Sequence, residues 1–192
     1  MVHSIQTLSN GIGWFERGLM RVLVLALPLM ILVNVAGRAL KMPIFWLDEL
    51  AVLTMVWLAM VGLSVTLKSR DAVAVTLLQD AVPPALRRGL QCISDGLVLV
   101  FAVAMLVLCY LWFDPLLLIN TGFDFQAFAA QSFNFIYQEP TATLGIAKVW
   151  FWLILPLVAL SSSVHALANL WQTLTVPQAE FLNHAVRVNS GE

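Results

Sequence analysis

The sequence is short of charge. Only 11% of its 192 residues are Asp, Glu, Lys or Arg, where a soluble domain carries about 25%. A chain with so few ionised side chains cannot cover a surface built for water, so its composition does not describe a soluble enzyme. Nor is there an excess of one sign: ten Lys+Arg stand against eleven Asp+Glu, a formal net charge of −1. That removes both the basic patch a nucleic-acid partner requires and the acidic tract of a solvating tail. Cysteine is equally scarce. Cys92 and Cys109 lie 17 residues apart, about 25 Å along one helix and too far for a disulfide. No CxxC spacing suggests a metal, and both thiols read as small buried apolar groups. Of three histidines, His165 alone falls in an apolar segment. One histidine cannot supply the paired axial ligands of a haem held between helices.

What the chain has in abundance is hydrophobic length. It is 60% hydrophobic, with a mean hydropathy of +0.88. Uncharged runs extend from Val22 to Gly37, Leu50 to Leu67, Gly96 to Phe113 and Val149 to Ala179. A hydrocarbon core about 30 Å thick requires about 20 apolar residues in a helix. The runs do not alternate as barrel strands do, and only helices or closed barrels satisfy backbone groups in lipid. The expectation is an all-α integral membrane protein with four transmembrane helices, spanning about 19–37, 45–67, 95–119 and 148–172. Residues 1–176 form a single membrane domain and 177–192 a C-terminal tail. The first run follows Arg17 and Arg21 like a signal peptide, yet it reads as a first helix that is retained.

Basic residues orient the bundle. Arg17, Arg21, Lys68, Arg70, Arg87, Arg88 and Arg187 fall on one side; Arg38, Lys41 and Lys148 fall on the other. Both termini are therefore expected in the cytoplasm. Between helices 2 and 3, Val75, Leu78, Val82, Leu86 and Leu90 recur at helical spacing, interrupted by Pro83-Pro84. They predict a cytoplasmic amphipathic interfacial helix, either covering the bundle's own end or docking a partner. Between helices 3 and 4, the loop from Asp114 to Lys148 is rich in aromatics. Its uncharged stretch from Phe125 to Gln138 predicts an aromatic interfacial segment, helical, on the outer face.

Few residues offer chemistry. Ser161 and Ser162 precede His165 on one helix face, but a Ser–His nucleophile normally joins two elements, and a serine run commonly serves helix packing. Asp48 and Glu49 open the second helix, ten residues after Arg38. Such carboxylates suit a helix N-terminus and can pair with Arg38 or Lys41. The cluster is either a charge-anchored helix end, with Trp46 in the interfacial belt, or an ionic contact for another protein. An ion relay requires acids near the midplane; Asp48 and Glu49 lie at the edge, and no other acid is expected deeper. No catalytic, cofactor-binding or metal-ligating residue is assigned.

Taken in order, Arg38, Trp46-Leu47-Asp48-Glu49-Leu50, Met55 to Gly62 with Trp57, the basic turn Leu67-Lys68-Ser69-Arg70-Asp71 and a late Leu155-Pro156 form a recognisable series. It resembles the small membrane subunit (Q-type) of tripartite ATP-independent periplasmic, or TRAP, transporters. The resemblance covers roughly residues 15–172. Two departures stand out. Where that family often carries a His and an Asp after the basic turn, this chain reads Ala72-Val73-Ala74-Val75-Thr76, and its third loop is longer and more aromatic. The resemblance implies a bacterial inner-membrane scaffold with three kinds of neighbour: a large ion-coupled membrane subunit, a periplasmic substrate-binding protein and membrane lipid. The system it belongs to would take up an organic acid, with sodium as the usual coupling ion. Arg38, Trp46, Asp48, Glu49, Trp57, Gly62 and Arg70 are the candidate partner-interface residues. Two other classes remain open: an autonomous small transporter or channel, and a membrane redox or hydrolytic enzyme using His165.

Overall fold

The computed structural model of the chain describes residues 2–70 and 82–175. Its elements are α1 (Val2–Ala39), α2 (Phe45–Ser69), α3 (Pro84–Phe113), α4 (Pro115–Asn120), α5 (Phe125–Ser132), α6 (Val149–Trp152) and α7 (Ile154–Thr175). Four helical stretches are long and apolar enough to cross a membrane: Ile5–Ala39, Phe45–Ser69, Leu86–Asn120 and Val149–Thr175. The all-α membrane class read from the sequence is thus the one observed, with no strand among the described residues.

The helix ends follow local chemistry. α1 turns into α2 through a tight loop in which the Met42 N–H bonds the Gly37 carbonyl at 2.8 Å. A Cβ on Gly37 would meet the Met42 carbonyl oxygen at 2.8 Å, so only glycine permits that approach. Proline opens α3 at its first turn, where its missing N–H costs nothing. Asp114, in the left-handed conformation, closes α3 with its N–H on Tyr110 and opens α4 by accepting from the Leu117 N–H. The apolar run expected to continue through Asp114-Pro115 therefore does so with a bend.

The fourth span is broken at Leu153 into α6 and α7. Pro156 explains the break, because its ring crowds the carbonyl one turn back and offers it no N–H. Near the break, the Trp57 indole of α2 donates to the Phe151 carbonyl at 2.9 Å. In lipid no water would have satisfied that oxygen.

α7 is the central helix. It packs against α1, α2 and α3, and its small residues Ala159, Ala166 and Ala168 are buried, letting backbones approach closely. α1 and α2 form a hairpin against one side of it, and α3 lies along the other. Val61, Ile154 and Val158 form the core of the α1–α2–α7 junction, with Leu19, Leu23 and Trp57 packed around them. The outer faces of α1, α2 and α3 stay apolar and uncovered, including Leu25, Leu29, Val52, Leu97 and Val100.

The third loop folds on its own core. Phe113, Leu118, Phe128 and Ile136 are buried together, with Tyr137 edge-on to Phe128 and stacked on Phe125. The Tyr137 hydroxyl donates to the Phe113 carbonyl at 2.6 Å. Burial and the nearby Asp114 charge push its ionisation upward, so it stays a neutral donor. The aromatic segment is helical only over Phe125–Ser132; Asp124 caps its start, and Phe133 ends it in a left-handed turn. The amphipathic stripe is divided likewise. Its residues 71–81, among them Val75 and Leu78 and the departure at Ala72 to Thr76, lie outside the described residues. Leu86 and Leu90 belong to α3 itself, which Pro84 opens at its first turn.

Candidate functional site: polar clusters at the two ends of the bundle

Three polar clusters tie the helices together. At the α1–α2 hairpin, Arg38 pairs with Asp48, and the Asn34 amide donates to the same carboxylate. The ionic side chains are 61% and 49% exposed, so in solvent the pair contributes at most about 1 kcal/mol. Glu49 reaches a distant partner: its carboxylate accepts from the Ala142 and Thr143 N–H groups at 2.7 Å and from the Thr143 hydroxyl at 2.6 Å. The Leu144 N–H adds a bond at 3.2 Å. Charge-assisted bonds of this kind are roughly twice as strong as neutral ones. They fix the third loop to the mouth of α2, where Thr141 and Ile146 close a small turn. Lys148 and Glu139 pair beside it at 2.6 Å.

Near the other ends of α1, α2 and α7 lies a buried network. His165 is wholly buried; its Nδ1 is 2.8 Å from the Ser9 hydroxyl and its Nε2 is 3.1 Å from Glu16 Oε2. A carboxylate only accepts, so Nε2 is the donor of the Glu16 contact, while the Ser9 hydroxyl can bond Nδ1 in either sense. The other Glu16 oxygen accepts from Ser64 at 2.7 Å, and Ser64 lies 3.0 Å from the Ser161 hydroxyl. The Lys68 ammonium crosses over Gly13 to the Ser9 carbonyl at 2.6 Å. The serine beside His165 is therefore Ser9 of another helix, not Ser161 or Ser162. Ser9 is 3% exposed and Glu16 6%, so the chain Ser9–His165–Glu16 ties α1 to α7, with Ser64 of α2 bonded to Glu16, and presents no hydroxyl to solvent.

The third cluster closes α2, α3 and α7. Arg70, in the left-handed position after α2, donates from Nη2 to Asp95 at 2.9 Å, to the Asn169 carbonyl at 2.6 Å and to Thr173 at 2.9 Å. Thr173 and Gln91 also donate to Asp95. Burial holds the Arg70 guanidinium below its ordinary value, while the Asp95 charge pushes it back up. Arg88 donates to the Thr173 and Leu174 carbonyls, and Asn169 donates to those of Leu67 and Lys68. Both helix C-termini thus receive donors for carbonyls that have no partner within the helix.

Two acids that the sequence reading did not single out, Glu16 and Asp95, are buried among the helices towards the end opposite Asp48 and Glu49, each with its donors. Of the candidate interface residues, Arg38, Asp48, Glu49, Trp57 and Arg70 all have partners within the chain. Trp46 is exposed. Gly62 faces open space, with nothing within 4 Å of a Cβ placed there. The signals for the two acids were spacing signals. Ser9, Gly13 and Glu16 share one face of α1, and Gln91 and Asp95 lie one turn apart in an otherwise apolar helix.

A comparison with curated proteins finds no match. A family model does match, over residues 27–176, described as "Tripartite ATP-independent periplasmic transporters, DctQ component". That is a family of transporter components rather than of enzymes, and its match spans most of the chain, from within α1 to the end of α7. With four apolar stretches of spanning length, three of them packed against the fourth, the chain belongs to the DctQ family, the small membrane component of TRAP transporters.

Proposed function

We propose that this chain is the fixed scaffold of its transporter, packing laterally against the large ion-coupled membrane subunit. It also helps seat the periplasmic substrate-binding protein during uptake of an organic acid, with sodium as the coupling ion and both termini cytoplasmic. The large subunit carries the substrate and ion sites; this chain holds its place in the membrane while the partner's transport domain moves. One observation carries the reading. Among the described residues, the buried acids Glu16 and Asp95 and their donors join helices to one another, while the lateral faces are apolar and uncovered. A scaffold is built this way, and a self-sufficient ion pathway is not, since it would need acids facing a wet cavity.

The Arg38–Asp48 pair and the loop held by Glu49 make up the face on which the binding protein would sit. Replacing Asp48 and Glu49 by Lys together should lower binding-protein-dependent uptake about tenfold, the effect of ~1.4 kcal/mol lost from docking. Membrane level and association with the large subunit should stay as in the wild type, because the buried networks are untouched. Full uptake by the double variant would contradict the docking role.

A further inference from the structure

α1 carries two cations that nothing among the described residues neutralises. Arg38 is paired with Asp48, Arg70 with Asp95 and Lys148 with Glu139. Lys68, Arg87 and Arg88 donate to backbone carbonyls. Arg17 and Arg21 are exposed, one turn apart on α1, and form no hydrogen bond or ion pair among the described residues. Their neighbour Glu16 points the other way, into the bundle, and is held by His165 and Ser64. Among the described residues only Lys41, in the α1–α2 turn, shares their condition.

The position of the two arginines is specific. Counted back from Arg38 along α1, Arg21 lies about 26 Å and Arg17 about 32 Å away. They bracket the thickness of a hydrocarbon core, about 30 Å. The same flank continues at four- and three-residue steps through Leu25, Leu29 and Leu32, which are 66%, 60% and 63% exposed. One turn before Arg17 stands Trp14, 76% exposed, at the depth where indoles settle among headgroups. Between the arginines, Gly18 has nothing within 4 Å of a Cβ position, so no side chain blocks approach to the helix there. Reading along the flank gives an indole, two guanidiniums and an acyl-length apolar track.

We infer that this flank of α1 binds one anionic phospholipid of the bilayer. Its phosphodiester lies between the Arg17 and Arg21 guanidiniums, and an acyl chain runs along Leu25, Leu29 and Leu32. Guanidinium forks match phosphate oxygens in geometry and charge, which a zwitterionic headgroup's own ammonium would partly offset. The flank therefore faces lipid, and the large subunit occupies another side of the bundle.

The experiment is native mass spectrometry of the full chain in neutral detergent, titrated with phosphatidylglycerol and with phosphatidylcholine of the same acyl composition. Wild type should bind phosphatidylglycerol in preference. R17Q/R21Q should weaken that binding about thirtyfold, at about fivefold for each basic residue beside an anionic headgroup. R17K/R21K should retain most of it, and phosphatidylcholine binding should not respond. Circular dichroism equal to wild type checks the fold; should the double variant not fold, R17Q alone reads the same contact at about fivefold. Unchanged phosphatidylglycerol affinity in the folded Gln variant would overturn the inference. So would equal displacement by inorganic phosphate at matched concentration, which would reduce the site to a free-anion contact. Loss of the bound lipid when the large subunit is added would assign the flank to that partner instead.

Discussion

Glu16→Ala is expected to lower the stability of the folded bundle by about 2–6 kcal/mol, the cost of stranding the two buried donors that its carboxylate accepts from. A hydrogen bond between membrane helices contributes only about 0.6 kcal/mol on average, so the bonds lost would by themselves account for about 2 kcal/mol at most. The larger part comes from what is left behind. His165 and Ser64 are both fully buried, and without the carboxylate their donors face a void, each orphaned donor costing about 1–3 kcal/mol. Thermal unfolding in mild detergent should shift down by about 10 °C, and Glu16→Gln should shift it less, because its amide oxygen still accepts from Ser64. A shift of the alanine variant within about 2 °C would show that the network is not structural.

The second large effect lies at the Arg70 cluster. Asp95→Ala removes the acceptor for Arg70, Thr173 and Gln91 together, and is expected to cost about 3–5 kcal/mol, because it breaks an ion pair and leaves the Arg70 charge without its partner. Arg70→Ala should cost a similar amount, since it uncouples the end of α2 from α3 and α7. The double variant should lose less than the sum of the two, because the second deletion removes a charge the first had stranded. Strict additivity in a denaturant titration would mean that the two side chains act independently, contrary to the geometry.

These two networks also mark where sequence reasoning stopped. The four spans were legible because lipid requires long uninterrupted apolar runs, and such runs show in composition alone. The Arg38–Asp48 pair was legible as a possibility, as both groups flank one short connection. Glu49's partners were not, since Ala142 and Thr143 lie more than 90 residues away and contribute mainly backbone N–H groups, which no residue type announces. Glu16 was missed for a different reason. The first span was read from residue 19, just ahead of the uncharged run that follows Arg21, yet α1 begins at Val2. Its first turns are polar and small on the face that meets α2 and α7, so they carry no apolar signal even though they are buried. Asp95 stood at the expected start of the third span and read as its boundary, when α3 had begun eleven residues earlier at Pro84. The break at Leu153 follows from Pro156, but its repair by Trp57 could be seen only once α2 and α6 were placed side by side.

The scaffold reading is tested most directly by tagging this chain at its native locus, extracting it in mild detergent and identifying stoichiometric companions by mass spectrometry. The account predicts one large polytopic membrane protein at a one-to-one ratio, with the purified chain alone inactive in liposome uptake. A chain that purifies without such a partner and moves solute by itself would contradict it.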